Sequence, residues 1–175
     1  EADYNRTTQA LQYALSDERV EVREEARYRL ARFQFVNGFL PEALAILRIM
    51  HEDAPKIQDT AEFRALRGAS NMMMRRYEDA LSDFNHYSLA NADDVRFWSA
   101  IARAQTGDPV VEADTIIQTG TVIDDYPRRT KIPLAIIAAE ATIDAGDDFG
   151  AQGFLDMIRG EEPTPNEDAA IAYLD

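Results

Sequence analysis

Residues 24–55 read EEARYRLARFQFVNGFLPEALAILRIMHEDAP, and this stretch decides the fold. Val22, Ala26, Leu30 and Phe33 recur at spacings of four, four and three, which places them on one face of a helix running to Val36. Asn37-Gly38 then breaks it, because glycine takes the left-handed backbone that ends helices without a Cβ clash. Pro41 suits the first turn of a second helix, where its missing N–H is not needed. That helix runs to about Glu52 and carries Ala43, Leu44, Ile46, Leu47, Ile49 and Met50 on more than one side, so it sits between neighbours. Pro55 closes the unit. Two antiparallel helices of this kind cannot bury their apolar faces alone and must stack on further copies.

The copies are visible further along. Gly38, Ala43 and Pro55 share their spacing with Gly146, Ala151 and Pro163. Between them lie RYEDALSDF (76–84) and GDPVVEADTII (107–117). The alanines at 43, 80, 113 and 151 are separated by 37, 33 and 38 residues. The small residues Ala31, Gly68, Ala102 and Ala139, with those four alanines, would let helix backbones approach closely, while Phe33, Phe84, Trp98 and Leu155 fill the space beside them.

In this punctuation the chain resembles the tetratricopeptide repeat (TPR) family, whose unit is a helix–turn–helix of about 34 residues. The resemblance rests on Leu30-Ala31, Gly38, Ala43, Leu47 and Pro55 in the first copy and on Gly68, Tyr77, Ala80 and Phe84 in the second. It rests on Trp98, Ile101-Ala102 and Ala113 in the third, and on Ala138-Ala139, Gly146, Ala151, Leu155 and Pro163 in the fourth. Three departures stand out: Arg75 in place of a turn glycine, Arg67 where that family has leucine, and an irregular turn at Asp108-Pro109. The implied fold is an all-α, right-handed solenoid of αα-hairpins. It is a single domain over 1–175, with a flanking helix in 1–20, about four imperfect hairpins at 21–55, 58–91, 93–126 and 131–163, and the start of a further helix at 166–175.

Smaller features complete the outline. Tyr4, Thr8, Leu11 and Leu15 have helical spacing, and Asp59 or Thr60 can cap the third hairpin-forming helix. The helix from Arg76 to about Leu89 should turn Tyr77, Ala80, Leu81, Phe84 and Tyr87 inward. The helix from Val110 to about Ile123 is weak near Gly120. Tyr126–Thr130 reads as a loop, with Pro133 opening the next helix. No segment alternates as a strand does.

Composition narrows the function. The 175 residues suffice for one continuous stack. No apolar run reaches the ~18–20 residues that cross a membrane. There is no cysteine, so there is neither a disulfide framework nor a thiolate metal site. Net charge is −14, and residues 93–175 carry seventeen acids against six bases. Such a field repels phosphate backbones and anionic membranes, favours a neutral or basic protein partner, or simply serves solubility. Two lysines against sixteen arginines suggest a GC-rich bacterial genome and hence a bacterial cytoplasm or periplasm. The start at Glu1 and the end inside a helical pattern read as a fragment of a longer protein or as a trimmed mature form.

Chemistry is sparse. His51 and His86 lack metal-ligand spacing, and the acidic groups at 93–94, 124–125 and 144–148 lack the order of a calcium loop. There is no phosphate-binding glycine loop and no nucleophile elbow. The chain is therefore expected to be no enzyme and to need no cofactor or metal. By resemblance to the family, first helices line a concave groove that takes an extended peptide or a partner helix. Carried over, the lining is Tyr28, Arg32 and Phe35; Ala69, Met72 and Met73; Ser99 and Arg103; and Ile136, Glu140 and Ile143. Arg32 and Arg103 would contact carboxylates or carbonyls, and Met72–Met74 would either line the groove or pack between hairpins. The expected function is a non-catalytic protein–protein interaction module. The alternatives are a segment that stacks on itself through ends exposing Leu11, Ile171 and Leu174, or an accessory domain of a larger enzyme.

Overall fold

The computed structural model describes residues 2–14, 16 and 19–174, so Leu15 and Asp17 lie outside it. Its helices are α1 (Ala2–Ala14), α2 (Val20–Val36), α3 (Leu40–Asp53), α4 (Ala61–Met73), α5 (Tyr77–Phe84), α6 (Asp93–Thr106), α7 (Pro109–Thr119), α8 (Arg128–Asp144), α9 (Asp148–Arg159) and α10 (Pro165–Leu174). Short 3-10 turns occupy Pro55–Asp59, Tyr87–Leu89 and Gly120–Asp125. There is no strand among the described residues. None of the helices found there is long and apolar enough to cross a membrane.

Helices pack on their neighbours in chain order, most extensively α2 on α3, α4 on α5, α6 on α7 and α8 on α9. The first helices of these pairs also touch one another: α2 meets α4, α4 meets α6 and α6 meets α8. Three of the four turns share one hydrogen-bond pattern. Phe39 N–H donates to Gln34 O (2.9 Å), Arg76 N–H to Asn71 O (2.9 Å) and Asp147 N–H to Thr142 O (2.9 Å). The residue before each donor has a left-handed backbone: Gly38 (φ 82°), Arg75 (φ 58°) and Gly146 (φ 77°). This closing bond satisfies carbonyls that a helix end would leave bare. Arg75 thus takes the glycine conformation despite its side chain. The turn after α6 differs. Asp108 accepts from Val110 N–H (3.0 Å) and caps α7 directly, with Pro109 in its first turn.

The four repeated alanines at 43, 80, 113 and 151 are all buried, as are Ala31, Gly68, Ala102 and Ala139. The approach at Gly68 is close: a Cβ there would lie 2.6 Å from the Phe84 ring. Two clusters fill the interior. The smaller joins α2, α3 and α4 through Ala31, Leu47, Met50, Phe63 and Leu66. The larger runs from Met72 to Ile171, and half-buried Phe35 packs against both. Helix α8 supplies Ile132, Leu134, Ala135, Ile137, Ala138, Ala139 and Ala141 to the larger one and is buried nearly all round.

Arg67 meets a buried carboxylate. Asp83 of α5 is 1% exposed. It accepts from Arg67 Nε (2.8 Å), Arg67 Nη2 (2.6 Å) and Arg64 Nη1 (2.8 Å). The Arg67 guanidinium also lies 5.0 Å above the Phe63 ring centroid.

Two expectations are corrected. The helix from Tyr77 stops at Phe84, because His86 Nδ1 accepts from Ser88 N–H (3.4 Å) and starts a separate turn, a local bond that competes with the helix. Tyr87 is consequently 76% exposed rather than inward-facing. Residues 128–130 are helical rather than loop. The Pro127 carbonyl accepts from Thr130 N–H (2.8 Å) and Lys131 N–H (2.9 Å), so α8 begins a turn earlier and Pro133 lies inside it.

Two outcomes test this packing by urea denaturation. Asp83→Ala leaves two guanidinium groups facing a buried void and lowers stability by roughly 3 kcal/mol, and adding Arg67→Leu restores part of the loss. Gly68→Ala costs about 1–3 kcal/mol despite alanine's better helix propensity, because the Phe84 ring it strikes is held against Trp98 at 6.3 Å between centroids.

Candidate functional site

Helix α2 presents Tyr28, Arg32, Phe35 and Val36 toward α4, which answers with Glu62, Ala65, Leu66 and Ala69. Helix α6 adds Asp94, Val95 and Trp98, the approach to α8 adds Asp125, Tyr126 and Pro127, and α8 itself adds Thr130. With Phe84 these residues enclose a cavity of about 500 Å³. Most of its wall comes from α2, α4 and α6, the first helices of successive pairs. Arg129 Nη1 donates to Asn37 O (3.0 Å), joining the start of α8 to the end of α2 across 92 positions of sequence. Asn37 follows the lining residue Val36 in sequence, and Arg129 precedes Thr130.

The interior is largely aromatic and braced. Trp98 Nε1 donates to Tyr126 Oη (2.9 Å), and Tyr126 donates onward to Asp94 Oδ2 (2.7 Å). The Trp98 and Tyr126 rings stand at 65° with centroids 5.8 Å apart. On the opposite wall, Tyr28 Oη donates to Glu62 O (3.3 Å). Burial holds the Tyr126 phenol well above its ordinary range, and the nearby Asp94 and Asp125 carboxylates push the same way. Tyr28 is also raised, by burial first, with Arg32 opposing and Glu62 adding. Arg32 is the one base lining the cavity, against Glu62, Asp94 and Asp125. Among the described residues, the side chains of Arg32, Glu62 and Asp125 form no hydrogen bond or ion pair.

The groove residues named from the sequence fall into three groups. Tyr28, Arg32, Phe35 and Ala69 line this cavity together. Met72 and Ser99 are buried and have no surface to offer a partner, and Met73 and Ile136 pack half-buried against the larger core. The reason at Ser99 is rotational. The face of α6 toward the cavity carries residues 94, 95 and 98, and one further residue turns the side chain by about 100°. The third group is paired elsewhere. Arg103 binds Glu112 of α7 through Nε (2.8 Å) and Nη2 (2.9 Å). Glu140 is held by Arg75 through Nη1 (2.7 Å) and Nη2 (2.8 Å) and borders, with Ile143 and Tyr173, a separate depression by α10.

Trp98 has the packing role its sequence position suggests, buried in the larger core, and it lines the cavity as well. Asp94, Asp125 and Tyr126 carry no local signal for this site, and only their convergence in space joins them to Trp98. No group of metal-ligating side chains is assembled among the described residues. Neither a family model nor any curated protein or solved structure matches this chain.

The Tyr126 bridge yields a signed prediction. Tyr126 ionises near its ordinary value of 10.0 when unfolded and above it when folded. The unfolded state therefore loses its proton first, and stability present below that pH is lost as pH rises past it. Tyr126→Phe flattens this alkaline decline. Near neutral pH it costs about 1–2 kcal/mol for the two lost hydrogen bonds, as urea denaturation at neutral and alkaline pH will show.

Proposed function

We infer that the chain is a TPR-like right-handed solenoid of about four imperfect hairpins, acting as a non-catalytic protein–protein interaction module. Its groove would hold an extended peptide or a partner helix. The observation that carries this reading is the cavity of about 500 Å³ walled largely by α2, α4 and α6, the first helices of successive pairs. Pockets of this size with apolar walls and a few polar groups are typical binding sites. Recurrence of one turn geometry at Gly38, Arg75 and Gly146, and burial of the four spaced alanines, support the repeat reading. Arg32 would donate to carbonyls or a carboxylate of the bound segment, having no competing pair among the described residues.

Self-stacking has less support at the C-terminal end. Ile171 is buried against this chain's own core, and Leu174 packs against it as well. Tyr173, 88% exposed, is what α10 leaves facing outward.

The single tryptophan lies at the cavity, so binding there has a direct optical readout. Panning the whole chain against a random dodecapeptide display library should enrich peptides that change Trp98 emission saturably. Ala69→Arg, which fills the cavity from α4, should abolish that binding while circular dichroism and the unfolding midpoint hold. Absence of enrichment, or peptides bound equally by Ala69→Arg, would remove the groove from consideration.

A further inference from the structure

The cavity is electrically uneven along its length. At the α2–α4 wall Arg32 and Glu62 both act on Tyr28, with opposite sign. At the α6–α8 wall the charges are Asp94 and Asp125 with no base among the lining residues. Asp94 already accepts from Tyr126 through one oxygen, Oδ2, while the Asp125 carboxylate is exposed and accepts no hydrogen bond from any described residue. Between them the Trp98 and Tyr126 rings form a corner, and the Trp98–Tyr126–Asp94 chain of hydrogen bonds fixes its shape. Phe84 backs Trp98 edge-on at 63°, so the corner cannot collapse inward.

Rings of this kind carry negative potential on their faces and attract a cation placed over them. Carboxylates beside them add attraction, and no base is among the lining residues at this end. The apolar lining formed by Phe35, Val95 and Phe84 matches the methylene stem of a lysine or arginine, which buries its stem and keeps its charged head near acids. We propose that the α6–α8 end of the cavity is a subsite for the cationic side chain of a lysine or arginine in a bound peptide. The stem lies along the aromatic floor and the head lies between Asp94 and Asp125, in the corner of Trp98 and Tyr126. The proposal rests on the peptide-groove reading above and adds the chemistry of the partner. It also gives the bound segment a direction, with its basic residue at α6–α8 and carbonyls or an acidic group toward Arg32.

The test uses the whole chain and the peptides that panning selects. The expected result is a lysine or arginine at one fixed position of the enriched peptides. Replacing it by norleucine or citrulline, which keep the stem and remove the charge, should weaken binding about tenfold, with the protein untouched. Asp94→Asn/Asp125→Asn should cause a comparable loss for the basic peptide and none for its neutral analogue, since asparagine still accepts from Tyr126. Enriched peptides that lack a basic residue, or that bind equally as neutral analogues, would overturn the cationic subsite and leave the peptide groove standing. No enrichment at all would overturn both.

Discussion

The constraint on which the molecule depends is the separation between paired helix backbones. Side chains at the crossing points must be small, and Ala43, Ala80, Ala113 and Ala151 are buried there on the second helix of each pair. Within the α4–α5 pair the large ring of Phe84 meets Gly68, and between neighbouring pairs Gly120, in the turn after α7, faces Phe154 of α9, where a Cβ would lie 2.9 Å from the ring. Such contacts are unforgiving because close-packed interiors relax little. They also set where the first helices stand, and the cavity is only the space those helices leave between them.

Polar contacts act on that frame at longer range. Asp83 with Arg64 and Arg67 joins α4 to α5 inside one pair. Arg75–Glu140 crosses 65 positions, and Arg129–Asn37 crosses 92. The half-exposed Arg75 pair contributes at most about 1 kcal/mol in solvent, which roughly offsets the left-handed backbone of Arg75 at about 1–2 kcal/mol. Its effect is therefore geometric more than energetic. A stack of local helix pairs would otherwise bend by small angles at each joint. These two cross-links tie α8 to the turn after α4 and to the end of α2.

The sequence made the helices, the turns and the small residues legible, because each is written in local chemistry. Glycine before proline, capping aspartates and spaced alanines need no knowledge of the far side of the fold. Even Arg67, which looked like a departure, is explained by Asp83 sixteen positions away. What stayed illegible is rotation and convergence. Ser99 and Trp98 are adjacent and both buried, yet only Trp98 lines the cavity, and periodicity in a helix buried on several sides does not separate them. Tyr126 lay hidden for a different reason. Pro127 and Pro133 suggested a loop, whereas Pro127 offers its carbonyl to two amides and starts α8 early.

That early start also shapes the site. Had α8 begun at Pro133, Thr130 would be loop and Arg129 would have no fixed reach toward Asn37. Beginning at Arg128 places Tyr126 immediately before a rigid helix, where its ring meets Trp98 and its hydroxyl takes the indole proton and bonds Asp94. One proline carbonyl thus orders the helix start and brings a phenol, an indole and two carboxylates to one corner. The acidity of the C-terminal half, diffuse in composition, becomes directional there. Asp94 and Asp125 face an aromatic floor with no base beside them among the lining residues, and that asymmetry is the most specific chemical feature of the cavity.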